Sequence, residues 1–148
     1  FSLYKCGGYL PVVWYKGRKR FIALEIEEGN IQAYQFSEDK KHIYYHGHCY
    51  QKAIGKIEAS LLCLALPKNY IVSNIPSGCC GMAGSFGYEK EHYELSNKIA
   101  EQSLFPALRK RSKDSIISAS GTSCRHQIKD GLGLAALHPI EILYDALK

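Results

Sequence analysis

Two adjacent cysteines sit in the run Pro76-Ser77-Gly78-Cys79-Cys80-Gly81-Met82-Ala83-Gly84-Ser85-Phe86-Gly87-Tyr88, which also carries four glycines. Adjacent cysteines are awkward in a core. Both cannot easily point the same way, and a disulfide between them strains the peptide they share. The glycines free the backbone to reach positive φ and to approach another group closely. Thiolates are soft ligands that suit iron–sulfur clusters and zinc. The chain is therefore expected to fold so that this loop, together with Cys49 and Cys124, meets an inorganic centre.

The surrounding pattern says how. His42-Ile43-Tyr44-Tyr45-His46 is a short β-rich run that ends at Gly47-His48-Cys49. Gln51 to Leu66 reads as a helix, with Ala53, Ile57, Leu61 and Leu64 on one side and Pro67 as its stop. Tyr70 to Ile75 is a second strand that runs into the cysteine pair. Ser85 reads as the N-cap of a helix carrying Leu95, Ile99 and Phe105, which Pro106 should kink or interrupt before a last turn holding Leu108. Asp114 to Ala119 is a third strand, followed by Gly121-Thr122-Ser123-Cys124 and a short helix from Arg125 to Lys129. His138-Pro139 opens a final helix with Ile140, Leu143, Tyr144 and Leu147 inward.

Strand and helix alternate, so the expected class is α/β: a small parallel sheet of about three or four strands, with right-handed crossovers and helices on its faces. Cys49, the Cys79–Cys80 pair and Cys124 each fall just past the carboxyl end of a strand. In an open α/β sheet those ends lie on one edge, where ligands bind. Distant stretches of sequence should therefore converge there.

The amino-terminal part is less informative. Pro11 to Tyr15 suggests a short strand, Phe21 to Glu28 has helical spacing, and Ile31 to Lys41 reads as irregular. Residues 1–20 stay unassigned, and 21–148 is read as the cysteine-rich domain. The chain starts at Phe1, and we read it as a piece of a longer protein.

Composition narrows the function classes. At 148 residues the chain suits one domain with a real core. The longest apolar run, Ala59 to Leu66, is too short to span a membrane. Lys16 to Arg20 leads into an acidic segment and not an apolar one, so no signal peptide is expected. The net charge of +5 comes largely from two basic clusters, at 16–20 and 109–113. A nucleic-acid face would want such clusters on one side with aromatic platforms, and the second cluster reads instead as the end of a helix, where cations suit the dipole. Six cysteines are too sparse for a disulfide scaffold and point to metal or redox chemistry in a reducing compartment.

Cys63, on the apolar side of an expected helix, and Cys6 read as small hydrophobes. Cys49, Cys79, Cys80 and Cys124 lie in expected loops beside glycine or polar residues and read as metal ligands. Their spacing matches neither a zinc ribbon nor a bacterial ferredoxin run, which leaves the metal open. His46, His48 and His126 crowd the same ends. Each suits a ligand, a donor to cluster sulfur or a proton carrier, and the supporting role is favoured for His48 and His126. Gly81, Gly84 and Gly87 do not make a dinucleotide pattern, and no Walker lysine follows. They fit better as a means of bringing amides toward an anionic centre, with Gly81 and Gly84 nearest it. Cys124 and His126 as a nucleophile and base are disfavoured, because side chains two apart need not meet.

Three stretches together resemble a known family: Tyr45-His46-Gly47-His48-Cys49-Tyr50-Gln51-Lys52-Ala53, Ser77 to Glu89, and Gly121-Thr122-Ser123-Cys124-Arg125-His126-Gln127-Ile128. The chain is similar to the cysteine-rich "CCG" domain family from about Phe21 to Lys148. That family includes iron–sulfur subunits of glycolate oxidase and anaerobic glycerol-3-phosphate dehydrogenase. The likeness is greatest to the C-terminal part of fused proteins that carry an FAD-linked oxidase domain and a ferredoxin-like domain. The resemblance implies electron transfer from FAD through iron–sulfur centres to a carrier or quinone, during oxidation of a D-2-hydroxy acid. It implies partners in flavin-binding and ferredoxin-like domains or subunits, and a cytoplasmic place, either free or peripheral on the membrane's inner face. In the family's fullest pattern a final C-x-x-C follows the lone cysteine and the pair. Here Cys124 matches its first cysteine, and Gln127 stands where the second would be. A [4Fe–4S] cluster or zinc is thereby implied. A zinc domain that docks a partner, and a thiol-redox module built on the pair, are the competing readings.

Overall fold

The computed structural model describes residues 3–4, 12–15, 18–21, 35–55 and 57–148. Near the amino terminus, β1 (Leu3–Tyr4), β2 (Val12–Tyr15) and β3 (Arg18–Phe21) pair antiparallel in that order. The expected strand within Pro11–Tyr15 is thus present. Phe21 closes β3, and the rest of the helix expected over Phe21–Glu28 lies outside the described residues.

The second sheet is the one that organises the site. Its strands are β4 (Lys41–His46), β5 (Tyr70–Asn74) and β6 (Ile116–Ala119), in the order β5-β4-β6. Both pairings are parallel, with Ile43 opposite Val72 on one side and Ile116 on the other. Parallel neighbours need a crossover between them. Helices α1 (Cys49–Ile54) and α2 (Glu58–Leu64) connect β4 to β5. Helices α3 (Tyr93–Glu101) and α4 (Leu104–Arg109) connect β5 to β6. Helix α5 (Thr122–Leu132) follows β6, and α6 (Pro139–Ala146) ends the chain. This is the expected α/β class.

Strand periodicity sorts the core. Ile43 and Tyr45 of β4 are fully buried with Leu64, Tyr70, Ile142 and Ala146 on one face. Tyr44, Ile117 and Ala119 point to the other face, against Ala100, Leu104, Phe105, Leu108 and Ile128. Burying a leucine or phenylalanine there contributes about 1.5–3 kcal/mol each. The same alternation sends His46 to the face of Tyr44.

Several boundaries differ from expectation, each for a local reason. The helix expected over Gln51–Leu66 is two helices, because Gly55 ends α1 with its amide donating to Gln51 O. The helix expected from Ser85 begins only at Tyr93, after short 3-10 turns at Phe86–Tyr88 and Lys90–His92. Leu95 is half exposed, and Ser96 and Ala100 face the core instead. The interruption comes before Pro106, which sits in the first turn of α4. No intrahelical amide bond is lost at such a position. Helix α5 outruns the expected Arg125–Lys129 at both ends and stops at Gly133, whose φ of 66° is left-handed. Ile142 and Ala146 are the buried residues of α6, whereas Ile140 and Tyr144 are exposed. Among the described residues no helix is long and apolar enough to cross a membrane.

Candidate metal centre

The strand order brings the cysteines together. β4 is central, so its carboxyl end is flanked by those of β5 and β6. Cys49 is the first residue of α1, three past the end of β4. Cys79 and Cys80 follow β5, held beside β4 by the Ile75 amide on Tyr45 O at 2.9 Å. Cys124 lies in the first turn of α5 and not in the loop expected for it. All four described cysteines of this edge are free, as is Cys63 of α2.

Backbone geometry aims the pair. Gly81 is buried with φ +99°, and a Cβ there would stand 2.1 Å from Ser96 O. Only glycine fits both the torsion and the space. Its amide donates to Cys79 Sγ at 3.3 Å. The amide of Ala83 also serves Cys79, and that of Met82 serves Cys80. Successive amides aimed at one spot make an anion-binding concavity. Gly84 has φ +73° but is exposed with nothing near a would-be Cβ, so it serves the turn.

Lys52 of α1 enters the same edge. Its ammonium donates to the carbonyl oxygens of Ser77 and, at 3.3 Å, of Gly78. It thereby anchors the loop that leads into the pair. Burial holds its pKa below the ordinary lysine value, against the opposing pull of Cys124, Cys49, Cys79 and Cys80. At the level of sequence Lys52 was only a polar residue of a helix.

Cys80 and Cys124 are 2% and 1% exposed. The Cys124 thiol beside it pushes Cys80 below the ordinary thiol value despite its burial, and the nearby His46 and the Met82 amide act in the same direction. The adjacent Cys80 sulfur and burial push Cys124 well above the ordinary thiol value. Burial also raises Cys79, partly offset by the Gly81 amide. Cys63 is raised by burial alone, as suits a thiol with a packing role.

The histidines divide. His46 is fully buried, with Nδ1 at 2.7 Å from Ser77 Oγ. One of its ring nitrogens, Cys80 Sγ and Cys124 Sγ all lie within 4.8 Å of one another. His48 caps α1, its Nδ1 accepting from the Tyr50 amide at 3.2 Å. A Cβ at Gly121 would stand 2.4 Å from His48 Cδ2 and 3.0 Å from Cys124 Sγ, so the His48 ring lines the cysteine edge. His126 is exposed and pairs with Tyr88 Oη at 2.6 Å. The histidine that joins the sulfurs is therefore His46. Its place as the last residue of a strand, one before Gly47, was the signal for it. The sequence offers it alongside His48 and His126, and the order of the strands, which places that strand end between two others, singles it out.

Two sulfurs and an imidazole at this spacing suit a borderline or soft metal, either zinc or an iron centre. Gln127 is buried and donates to Ser96, so it supplies no sulfur at the position it holds.

No protein-family model matches the chain, and no solved structure matches it significantly. Curated proteins do. The chain is 32% identical over 106 residues, 71% of its length, to D-2-hydroxyglutarate dehydrogenase of Escherichia coli (strain K12). It is 38% identical over 76 residues to the protein of that name from Pantoea ananatis, covering 51% of the chain and 7% of that relative. It is 30% identical over 105 residues to one of the subunits of anaerobic glycerol-3-phosphate dehydrogenase from Escherichia coli (strain K12), covering 71% of the chain and 26% of that relative. The chain spans only 10% of the length of the first of these. It is thus similar to one part of larger dehydrogenase proteins.

Proposed function

We propose that residues 21–148 form an iron–sulfur electron-transfer domain of a flavin-linked oxidoreductase. Its substrate is a 2-hydroxy acid of the D-lactate, glycolate or 2-hydroxyglutarate class. The observation that carries this reading is the convergence of Cys49, Cys79, Cys80 and Cys124 at the carboxyl ends of three parallel strands. The similarity to a protein named D-2-hydroxyglutarate dehydrogenase supports the substrate class. FAD and the substrate pocket lie elsewhere, on the same polypeptide or on a partner subunit, and the acceptor is a carrier or quinone.

In this reading the four thiolates hold a [4Fe–4S] cluster, which when bound takes up and releases single electrons. The amides of Gly81, Met82 and Ala83 direct positive dipoles at the sulfurs. Lys52 offsets the negative charge of the ligand set. His48 lines the edge beside Cys124, and His126, two residues beyond Cys124, is exposed and paired with Tyr88. The domain acts on the cytoplasmic side.

A second reading is favoured by the close approach of His46, Cys80 and Cys124 within 4.8 Å. Donors around one tetrahedral zinc stand about 3.5–3.8 Å apart, given bonds of about 2.0–2.3 Å. The domain would then be a zinc-bound docking module without redox activity. Iron, sulfide and zinc analysis of anaerobically prepared protein separates the two. In either case Cys79→Ser and Cys124→Ser are expected to lose metal, while Cys63→Ser keeps it. Full metal retention by the Cys124 variant would remove that residue from the ligand set.

A further inference from the structure

Resting on the metal-centre reading above, we infer that His46 is itself a metal ligand, binding through Nε2 beside Cys80 and Cys124 and taking the fourth position in place of Cys49. Four observations converge on it. First, His46 is fully buried at the end of the central strand. A buried imidazole normally engages both nitrogens. Nδ1 is engaged by Ser77 Oγ at 2.7 Å, but Nε2 is buried and has no hydrogen-bond partner among the described residues.

Second, the geometry gives that nitrogen a destination. His46, Cys80 and Cys124 bring their donor atoms within 4.8 Å of one another, and all three residues are buried. A single metal ion draws such donors in by a further ångström or so. Third, the hydrogen bonds around Nδ1 accommodate the tautomer a metal needs. Ser77 Oγ lies 3.4 Å from Ile75 O, to which its hydroxyl hydrogen is directed. Ser77 Oγ then accepts from Nδ1–H, which leaves the lone pair on Nε2 facing the sulfurs. Fourth, the loop that supplies Ser77 is anchored by Lys52 on Ser77 O, so the partner that orients the ring is itself held in place.

The alternative is that His46 Nε2 carries a hydrogen and donates it to the Cys80 thiolate, with no metal bond. Coordination spectroscopy separates these. The full chain is loaded anaerobically in two preparations, one with zinc alone and one with ferrous iron and sulfide. X-ray absorption reads the zinc shell. Pulsed electron paramagnetic resonance on protein with nitrogen-15-labelled histidine reads the reduced iron centre. The expected result is one histidine nitrogen bound to the metal in whichever preparation fills the site. That signal disappears in His46→Ala, and metal affinity falls by at least about tenfold with the circular dichroism unchanged. His46→Cys restores metal with a sulfur-only shell, which guards against a variant that merely misfolds.

A sulfur-only shell in the unaltered chain, with Cys80→Ser and Cys124→Ser still losing metal, overturns the inference and leaves the metal centre standing. A chain that holds neither metal removes both.

Discussion

Gln127 donates from Nε2 to the carbonyl oxygen of Ser96 at 3.2 Å and to its hydroxyl at 3.1 Å. Both residues are buried, and the bonds tie α5 to α3. Gln127 stands one turn beyond Cys124 on the same helix face. Where the resembling family offers a last cysteine, this chain has a structural amide. Gln127→Ala should therefore lower stability by about 1–3 kcal/mol, through the unpaired Ser96 groups, and leave metal content unchanged. Urea unfolding with parallel metal analysis checks both halves. Loss of metal from a folded Gln127→Ala protein would show that this residue reaches the centre.

Gly81 and Gly84 both have positive φ, but only Gly81 lacks room for a side chain. Gly84→Ala should cost about 1–2 kcal/mol, from the left-handed torsion alone. Gly81→Ala adds a collision with the Ser96 carbonyl and displaces the amide on Cys79. It should cost more, and it should weaken metal binding where Gly84→Ala does not. Thermal unfolding and competitive metal titration of the two variants give the comparison. Equal effects would mean that the Gly81 amide does not matter to the centre.

Lys52 anchors the loop of the site and brings a positive charge to it. Lys52→Met keeps the aliphatic stem but removes the charge and both bonds to the Ser77–Gly78 backbone. Metal affinity should fall by about 10–100-fold, the usual range for groups that orient ligands. Lys52→Arg should recover part of it. An unchanged affinity in Lys52→Met would relegate this residue to the helix surface.

Much of the architecture could be read from residue patterns. The apolar runs around Ile43, Val72 and Ile117 marked the strands, and the glycines and polar residues after them marked the strand ends. Placing the four thiols at one edge required only the alternation of strand and helix. What could not be read was which strand lies in the middle. β4 is first of its sheet in sequence but central in space, and His46 at its end is buried between the loops that follow its neighbours. Lys52 escaped notice for a similar reason, since its partners lie 25 and 26 residues away. Leu95 looked like a core residue by spacing, but the late start of α3 turned Ser96 inward instead.

His138 caps α6, with Nδ1 accepting from the Ile140 amide at 3.2 Å while Glu141 accepts from the His138 amide at 2.6 Å. Burial lowers its pKa, with Arg125 acting in the same direction and Glu141 against it. A histidine with a lowered folded pKa favours folding while neutral. That contribution is complete above its unfolded pKa and is lost as pH falls through the folded value. Thermal stability should therefore decline on acidification below neutral pH, and His138→Asn, which still caps, should flatten that decline. His138→Ala should cost about 1 kcal/mol at neutral pH. A pH profile identical in the unaltered chain and the asparagine variant would contradict this.

The most direct test is the colour and magnetism of the protein itself. Anaerobically prepared chain should be brown and contain iron and sulfide. Its visible absorption should bleach on reduction, and the reduced state should give an electron paramagnetic resonance signal that Cys80→Ser abolishes. A colourless protein that holds stoichiometric zinc and gives no such signal would contradict the iron–sulfur reading.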